Sequence, residues 1–448
     1  MRKIFQYILM AVAVVVTASC SNELDEALQP ANNGTLQFVV SDFPMFGEGT
    51  QTRVIGTQDE GKTAWENGDQ IIITLTSERF GEQTTAITYD GTNWGTEVSL
   101  SYLENEIPTV SAVYAPCYEV TVEGVKQLRS GMQLGMCEYL EADCEIQNGT
   151  INISFADALR TYSRLRIAGL ENQTLTVTTT DFTPAGATSV ATEPYTLTTD
   201  EKGNAYLYGT FAEGATVKVK KGDVTLTDYT FTFTTELIQS YALDARPVID
   251  GTLGGKATAE ESDITALVEQ LKAYVDNGIT TIIVPGSEPA LIEMDSWTNT
   301  AIGEAIYRLS GSDDYDENNP YNGKIDLILQ DVTEIVDQEF YSAWALNSIT
   351  LPKVIKIGDE AFHRTWFLKT ITFESVLTEV NETGGVMFAQ VGKEVDGCNL
   401  FINCGQMNES NVPAPDLTNN IWKFKFENEF KSITLTHTGE CDECKANQ

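Results

Sequence analysis

A 22-residue repeat constrains the fold of this chain more than any other feature of the sequence. The segment VTEIVDQEFYSAWALNSITL, which starts at Val332, superposes without a gap on VIKIGDEAFHRTWFLKTITF, which starts at Val354. The identical pairs are Val332 and Val354, Ile335 and Ile357, Asp337 and Asp359, Phe340 and Phe362, Trp344 and Trp366, Leu346 and Leu368, Ile349 and Ile371, and Thr350 and Thr372. A period of about 20 to 30 residues is typical of a solenoid, in which each unit stacks its apolar edge on the next. A solenoid exposes an extended surface built from successive units, so the repeat favours a binding function over a catalytic one.

A long helix is the competing interpretation, because 22 residues are also two periods of an 11-residue apolar repeat. Pro352 argues against it, since proline in a helix interior costs about 3 kcal/mol. Ile349 and Leu351 alternate with polar neighbours and predict a strand that ends in a turn. Leu327 and Leu329 stand 22 residues earlier. The sequence therefore predicts a ladder of at least three strands.

The repeat resembles the BspA-like leucine-rich repeats of bacterial surface proteins. The resemblance rests on SITLPKVIKIGDEAFHRTWFLKTITF, and it is most specific over residues 346–373. Ala343 and Thr365 stand where that family commonly carries a cysteine. The resemblance implies adhesion to a host or bacterial surface protein or glycan.

Trp344 and Trp366 occupy the same position of the two repeats. Either they are core residues stacked between units, or they form an exposed aromatic ladder suited to contact with a sugar or a protein. Burial of the two indoles decides between these alternatives. As possible ligand contacts they are the only residues of the repeat that the sequence singles out.

The first residues predict an export signal. Arg2 and Lys3 precede an apolar run over residues 8–16 that is too short to span a membrane. The small residues before Cys20 resemble a lipobox, which implies that residues 1–19 are a lipoprotein signal peptide and that Cys20 carries the acyl chains of an outer-membrane anchor. Ordinary cleavage near Ala18 is the alternative. Residues 20–34 are then a tether.

The net charge limits the classes of partner that the protein is expected to bind. The chain has 65 acidic and 28 basic residues and a formal net charge of −37. So acidic a chain is not expected to bind nucleic acid. The acidic run at residues 21–26 resembles the surface-export tag of some anaerobic Gram-negative lipoproteins, which implies a protein that faces outward. The alternative is that the run is a solvated tether and carries no export signal.

Residues 36–249 are dominated by threonine, valine, isoleucine and aromatic residues in short alternating runs. Such spacing predicts antiparallel β-sandwiches rather than a parallel sheet. The length suits two of them, with a boundary between Arg160 and Gly169. We assign the first sandwich to residues 35–160 and the second to residues 161–252.

This body resembles the fimbrillin family, the lipoprotein-derived pilus subunits of anaerobic Gram-negative bacteria. The matching segments are TR at residues 52–53, AWENGDQIIITL at 64–75, VYAP at 113–116, ISFADALRTYSRLRI at 153–167 and ALDARPVID at 242–250. The resemblance implies transthyretin-like sandwiches. It also implies proteolytic maturation after Arg53, which would remove a first strand and open a groove for a strand of a neighbouring subunit.

The chain continues for almost 200 residues beyond this body. A subunit that donates its own last strand needs a free end, so a terminal or accessory fimbrial subunit, or a free-standing adhesin, is favoured. The alternative is a polymerising pilus subunit whose repeats act as a spacer.

The connector between the body and the repeats is short and polar. Residues 253–262 are predicted to be a linker, followed by a helix that Asp263 caps and Gly278 ends. A strand at residues 279–284 and a second helix at 297–308 complete a cap over the open end of the solenoid. The repeat domain then covers residues 263–440, and residues 441–448 are a tail.

The cysteines beyond Cys20 are too few and scattered for a disulfide framework. Cys441 and Cys444 have the spacing of half a zinc site, to which Cys398 and Cys404 could contribute the other half. A local disulfide and inert thiols are the alternatives, of which inert thiols are favoured. We predict no metal site and no cofactor.

Little in the sequence supports catalysis. His363 and His437 are the only histidines, and neither stands beside a nucleophile motif. The acidic insert at residues 312–319 lacks the glycine and the distant glutamate of an EF-hand loop, so it is predicted to be a solvated loop. We expect no enzyme, with a surface glycan hydrolase acting through two carboxylates as a distant alternative.

Overall fold

The computed structural model describes residues 36–48, 62–103, 106–155, 160–293, 298–312, 314–380, 387–403 and 429–436. These residues form several β-sheets and two short helices, so the predicted mainly β class is confirmed. Neither described helix combines the length and the apolar character needed to cross a bilayer.

The first part of the body is a curled sheet. Its strands and the flanking ones are β1 (Gln37–Val40), β2 (Gly47–Glu48), β3 (Gln70–Ser77), β4 (Gly81–Tyr89), β5 (Trp94–Gly95), β6 (Thr109–Tyr114), β7 (Tyr118–Val120), β8 (Lys126–Leu128), β9 (Leu140–Gln147) and β10 (Thr150–Ser154). The seven-stranded sheet has the order β1-β10-β9-β6-β3-β4-β5, and its two edges approach each other. Alternation places Ile71, Ile73, Ile87 and Ile151 in the interior, where each is fully buried.

The second part is a sandwich of two sheets. Its strands are β11 (Ser163–Ala168), β12 (Thr174–Thr179), β13 (Phe182–Pro184), β14 (Tyr195–Thr198), β15 (Ala205–Phe211), β16 (Thr216–Lys221), β17 (Val224–Thr230) and β18 (Gln239–Asp244). The sheets have the orders β13-β15-β11-β18-β2 and β14-β12-β16-β17. Stacked rings of Phe182, Phe211 and Phe231, with centroids 4.3 and 4.7 Å apart, fill the space between them.

The prediction of purely antiparallel sheets is wrong in detail. β1 lies parallel to β10, β18 lies parallel to β11, and β2 lies parallel to β18. A parallel neighbour needs a long connection, and these pairs join strands far apart in the chain. Alternation within a strand reports which face is buried, and it carries no information about the direction of the partner strand.

The body joins the repeats through main-chain hydrogen bonds. The N–H of Ile283 donates to the carbonyl of Pro247 and the N–H of Ile249 donates to the carbonyl of Ile283, both at 2.9 Å. Within the predicted linker, the N–H of Ala259 donates to the carbonyl of Leu291 at 2.9 Å. The connection is therefore anchored to the repeat region along its length.

The remaining elements form the cap and the ladder. They are α1 (Glu261–Asp276), β19 (Thr281–Val284), β20 (Leu291–Glu293), β21 (Thr298–Thr300), α2 (Ala301–Leu309), β22 (Ile325–Leu329), β23 (Glu334–Ile335), β24 (Leu346–Leu351), β25 (Lys356–Ile357), β26 (Thr370–Phe373), β27 (Glu379–Val380), β28 (Asn399–Asn403) and β29 (Ser432–Thr436). Glu260, not Asp263, is the N-cap of α1. Asp263 lies at the third helical position, where its carboxylate accepts the N–H of Glu260 in a capping box.

The second helix begins later than predicted. It starts at Ala301, where the hydroxyl of Thr300 accepts the N–H of Gly303 at 3.1 Å. The preceding residues pair as β20 and β21, and Trp297 lies outside the described residues. The side-chain cap of Thr300 fixes the start of the helix four residues after the predicted Trp297.

The ladder places successive units in parallel register. The six-stranded sheet has the order β19-β22-β24-β26-β28-β29, and a smaller sheet joins β23, β25 and β27. Leu327 pairs with Ile349, and Ile349 pairs with Ile371, as the repeat predicts. The ladder of at least three strands is confirmed.

The backbone repeats as well as the sequence. Gln338 and Glu360 both have positive φ, at +60° and +54°, and so do Ser342 and Arg364, at +53° and +60°. Each pair is separated by one 22-residue unit. At Gly358 a Cβ atom would lie 2.4 Å from the nitrogen of Asp337 in the previous unit, so only glycine fits there.

Candidate functional site

The outward side of the six-stranded sheet is the candidate ligand-binding surface, here called the outer ladder face. Its first row consists of Asp326, Ser348, Thr370, Asn399 and Ser432, which pair in register from strand to strand. Its second row consists of Ile328, Thr350, Thr372, Phe401 and Thr434. Neighbouring strands lie about 4.8 Å apart, so the two rows form a regular array of mostly polar side chains.

Hydrogen bonds hold the first row in place. One carboxylate oxygen of Asp326 accepts the amide of Asn347 at 2.7 Å and the hydroxyl of Ser348 at 2.6 Å. At the other end of the row, the hydroxyl of Ser432 donates to the side-chain oxygen of Asn399 at 2.8 Å. Groups fixed in this way lose little conformational entropy when they bind a partner.

The face exists because alternation divides each strand between two environments. Ile349, Leu351, Ile371 and Phe373 point to the interior and are fully buried. Thr350 and Thr372 between them are half-buried, as expected on a flat sheet where neighbouring side chains shield each other. The repeat thus produces a hydrophobic core and a polar outer surface from the same strands.

Both tryptophans lie in the interior rather than on the outer ladder face. Trp344 is 1 % exposed and Trp366 is 8 % exposed, and their rings stack at 5.1 Å. The indole N–H of Trp344 donates to the carbonyl of Arg364 at 2.9 Å, and that of Trp366 donates to the side-chain oxygen of Gln390 at 3.1 Å. These contacts favour the core interpretation and remove the exposed aromatic ladder as a binding surface.

The acidic insert covers these indoles. Tyr315 packs its ring edge against Trp344 at 5.0 Å and against Trp366 at 4.8 Å. The carboxylate of Asp316 accepts the N–H of Asn318 at 2.9 Å, which makes a local turn. The insert therefore has a packing role that the sequence did not reveal.

Several predicted residues lie outside the described part of the chain. These are Cys20, Arg53, Cys404, His437, Cys441 and Cys444. Cys398 is buried, and burial raises the pKa of its thiol to about 12. His363 packs against the ring of Tyr341 at 5.3 Å, and burial lowers its pKa.

Sequence reasoning missed a buried charged cluster in the body. Arg160 donates to Glu138 at 3.2 Å and to the carbonyls of Pro44 and Met45 at 3.0 and 2.9 Å. Its guanidinium lies 3.7 Å from the ring centre of Phe46. Burial raises the pKa of Glu138, although the nearby guanidinium opposes this. The sequence does contain a signal for this cluster, namely the basic residues of the segment 160–167, which alternate like the residues of a strand.

A disulfide joins Cys117 and Cys137. It links the segment before β7 to the segment before β9, and Cys117 is buried. The scattered cysteines gave no spacing from which this pair could be chosen. Only the folded structure brings the two thiols together.

Comparison with known proteins finds no matching family model and no matching curated protein. One similar solved structure, from Bacteroides fragilis, is described as a "putative cell adhesion protein"; it has 10 % identity and a TM-score of 0.23, and the match covers 47 % of this chain and 92 % of that chain. Another is the fimbrial anchor protein Mfa2 from Porphyromonas gingivalis, with 9 % identity, a TM-score of 0.19 and coverage of 39 % and 78 %. Both similarities are too low to place the chain in a family.

Proposed function

We propose that this protein is a surface-exposed outer-membrane lipoprotein that acts in adhesion. It serves as a terminal or accessory fimbrial subunit or as a free-standing adhesin. Residues 263–440 are a solenoid of BspA-like leucine-rich repeats that binds a host or bacterial surface protein or glycan. The observation that carries this proposal is the outer ladder face, a regular, internally bonded polar surface built from successive units.

Three properties suit this face to adhesion. Its hydroxyl, amide and carboxylate groups, on Thr372, Asn399 and Asp326, can donate to and accept from sugar hydroxyls or peptide groups. Phe401 adds an apolar ring at the second row. The ladder is also bonded to the body through Pro247 and Ile249, so a pull on the ligand is transmitted to the anchored end.

Binding by cells that display the full chain tests the proposal. Thr372→Lys places a long cation in the middle of the outer ladder face, and we expect it to reduce attachment to immobilised surface glycans or matrix proteins by roughly tenfold. Thr196→Lys on the exposed side of β14 is the matched control and should leave attachment unchanged. Equal attachment by both variants and the parent would refute the outer ladder face as the adhesive surface.

The anchor has its own test. Cys20→Ala removes the proposed acylation site, so the protein should move from the outer-membrane fraction to the soluble fraction. Metabolic labelling with a palmitate analogue should mark the parent and not the variant. A labelled Cys20→Ala variant would contradict this assignment.

A second candidate function is that of a polymerising pilus subunit, and the segment before Arg53 supports it. A cut after Arg53 would detach β1, which pairs only with β10 among the described strands, together with Phe46 beneath Arg160. The freed edge and the uncovered guanidinium would suit a strand from a neighbouring subunit. Ladders of denaturant-resistant polymer that disappear in Arg53→Ala would establish this role, and a uniform monomer would exclude it.

A further inference from the structure

A cleft lies where the two parts of the body meet, and it is here called the tyrosine cleft. It is lined by Lys62 from the first part and by Asp200, Asn204, Tyr206 and Tyr208 from the second. These five residues line both an inner chamber of about 350 Å³ and an outer chamber of about 550 Å³. Small-molecule sites have volumes of roughly 300–1,000 Å³, so the cleft has the size of a ligand site.

Alternation along β15 places the two tyrosines in this cleft. Ala205 and Leu207 are buried in the sandwich core, while Tyr206 and Tyr208 lie on the other face of the strand and are half-buried. The centres of their rings are 6.2 Å apart, and the ring planes are tilted by 35°. The guanidinium of Arg164, on the neighbouring strand β11, lies 5.1 Å from the ring centre of Tyr206 and holds that ring in place. The pair therefore forms a fixed, partly exposed aromatic surface.

The residue before β15 contributes a buried amide to the cleft. Asn204 is only 8 % exposed, and no residue in the described part of the chain forms a hydrogen bond with its side-chain amide. Its main chain is fixed, because the N–H of Asn204 donates to Oδ1 of Asp200 and the N–H of Asp200 donates to the carbonyl of Asn204, both at 2.9 Å. A buried amide without a partner costs free energy, so this amide points to a ligand that completes its hydrogen bonds.

The other polar groups of the cleft include an acceptor and a donor. Oδ1 of Asp200 accepts the N–H groups of Lys202 and Asn204, both at 2.9 Å, and no described residue donates to its second oxygen. The ammonium of Lys62 donates to Asp69 at 2.6 Å, and an ammonium has three hydrogens to donate. The cleft therefore presents a carboxylate acceptor, an ammonium donor and an amide that does both, all beside the two rings.

The charges of the cleft narrow the class of ligand. The charged residues that line the outer chamber are Lys62 and Lys202 and the three acids Glu66, Asp200 and Glu201. Because the acids outnumber the lysines, the cleft does not favour an anion such as a phosphate, a sulfate or a uronate. A neutral pyranose has an apolar face of C–H groups that packs on an aromatic ring and hydroxyls that both donate and accept. This combination matches the rings and the polar groups of the cleft.

We propose that the tyrosine cleft binds a neutral pyranose unit of a glycan. The ring of Tyr206 packs against the C–H face of the sugar, and the side chains of Asn204 and Asp200 form hydrogen bonds with its hydroxyls. The site is separate from the outer ladder face and does not depend on it. It gives the body a sugar-binding function of its own.

Substitutions can remove the ring and the amide separately. Tyr206→Ala removes the aromatic ring, whereas Tyr206→Phe keeps it. Asn204→Ala removes the amide and leaves the main-chain hydrogen bonds of the turn in place. Tyr229→Ala is the matched control, because Tyr229 is also a half-buried tyrosine of the second part of the body but does not line the cleft. Thermal unfolding of each variant verifies that it is folded.

The probes are neutral tetrasaccharides of glucose, galactose, mannose and N-acetylglucosamine, titrated into the full chain by calorimetry. We expect saturable binding of at least one of them. For that sugar, the affinity should fall roughly tenfold in Tyr206→Ala and in Asn204→Ala, fall less in Tyr206→Phe and stay unchanged in Tyr229→Ala. Thr372→Lys on the outer ladder face should also leave the affinity unchanged, which separates this site from the adhesive surface proposed for the repeats.

Four outcomes would overturn the proposal. The first is the absence of binding to every tetrasaccharide of the panel. Equal affinity of the parent, Tyr206→Ala and Asn204→Ala would place the sugar elsewhere, and a loss in Thr372→Lys would assign it to the outer ladder face. Tighter binding of tetragalacturonic acid than of any neutral tetrasaccharide would show that the lysines, rather than the ring and the amide, select the ligand.

Discussion

The ladder and the body obtain their cores through different kinds of pairing. In the ladder, Leu327 pairs with Ile349 and Ile349 pairs with Ile371, each one 22-residue unit away, and the next two steps, to Leu400 and Ile433, span 29 and 33 residues. In the first sheet of the body, Phe38 pairs with Ile151, more than a hundred residues away. The ladder is therefore stabilised between neighbours, whereas the body must close long loops before its pairs form.

This difference in strand pairing predicts how far the destabilising effect of a substitution spreads through the molecule. A defect in one rung of the ladder acts first on the adjacent rungs, because each unit contacts mainly its neighbours. A defect in the body acts on a sheet whose strands come from distant parts of the chain. Substitutions in the two regions can test this contrast, and the expected effects follow from largest to smallest.

Trp344→Ala should have the largest effect and should be confined to the ladder. The indole is fully buried and stacked on Trp366, so its loss leaves a cavity and should lower the free energy of unfolding by about 4 kcal/mol. Native-state hydrogen exchange should show faster exchange around β24 and β26, with the protection of β3 unchanged. Tyr315→Ala, which removes a partly exposed ring, should cost less than half as much. Equal loss of protection in the body would break the comparison.

Arg160→Met should destabilise the body by about 3 kcal/mol, because it leaves the carboxyl of Glu138 buried without its cation. Urea unfolding of the parent and the variant measures the change. Adding Glu138→Gln should restore at least half of the loss, since the amide oxygen still accepts the hydroxyl of Tyr162. Lys218→Met, at a half-exposed ion pair with Asp228, should change the free energy by less than about 1 kcal/mol. If the double variant is no more stable than Arg160→Met, the cation does not act through Glu138.

Glu339 should make the stability of the cap depend on pH. Burial raises the pKa of its carboxyl from 4.5 to about 7, while the N–H and hydroxyl of Thr300 donate to it. The folded state then holds the proton more tightly than the unfolded state. Stability is therefore highest below pH 4.5 and falls as the pH rises to about 7, by a total on the order of 3 kcal/mol.

Urea unfolding at pH 5 and at pH 8 measures this dependence. Glu339→Gln cannot ionise, so its stability relative to the parent should rise between the two pH values. Glu288→Gln, at an exposed position near the same cap, is the control and should follow the parent. A parallel pH dependence of the parent and Glu339→Gln would show that another group is responsible.

The smallest effect is expected at the ion ladder along the smaller sheet. Lys356 lies 2.7 Å from Glu334 and 3.7 Å from Glu379, which belong to the neighbouring units. All three side chains are partly or largely exposed, so Lys356→Ala should lower the free energy of unfolding only slightly. The loss should shrink further at high salt, as measured by thermal unfolding in low and high sodium chloride. A salt-independent loss would point to packing of the lysine stem instead.

The repeat made the ladder predictable in detail. Identical apolar positions at one spacing fix both the partner and the register, so the 22-residue period alone aligns Leu327, Ile349 and Ile371. The apolar stripe of the first helix, Ile264, Leu267, Val268, Leu271 and Val275, could also be predicted from the sequence; its first four residues are buried and Val275 is partly buried. Its cap was misplaced by three residues because Glu260 and Asp263 form a reciprocal pair, in which either acid resembles the first residue of a helix.

For the body, the sequence predicted only the fold class. Alternation identified strands such as β3, but nothing local indicated that β1 lies parallel to β10 or that the first sheet curls until its edges meet. The interior position of Trp344 and Trp366 could also be learned only from the tertiary structure, because a repeated aromatic residue can face the core or the solvent. The cover that Tyr315 provides comes from an insert that breaks the repeat.

The sequence by itself determined the mainly β class, the repeat and its register, because these depend on periodicities that the chain carries locally. Tertiary structure alone decided which surface is free. It buried the two tryptophans, left the outer ladder face mostly polar and partly exposed, and closed Arg160 over Phe46. The physical reason is that exposure is a property of packing between distant segments, and no local pattern specifies which segments will meet.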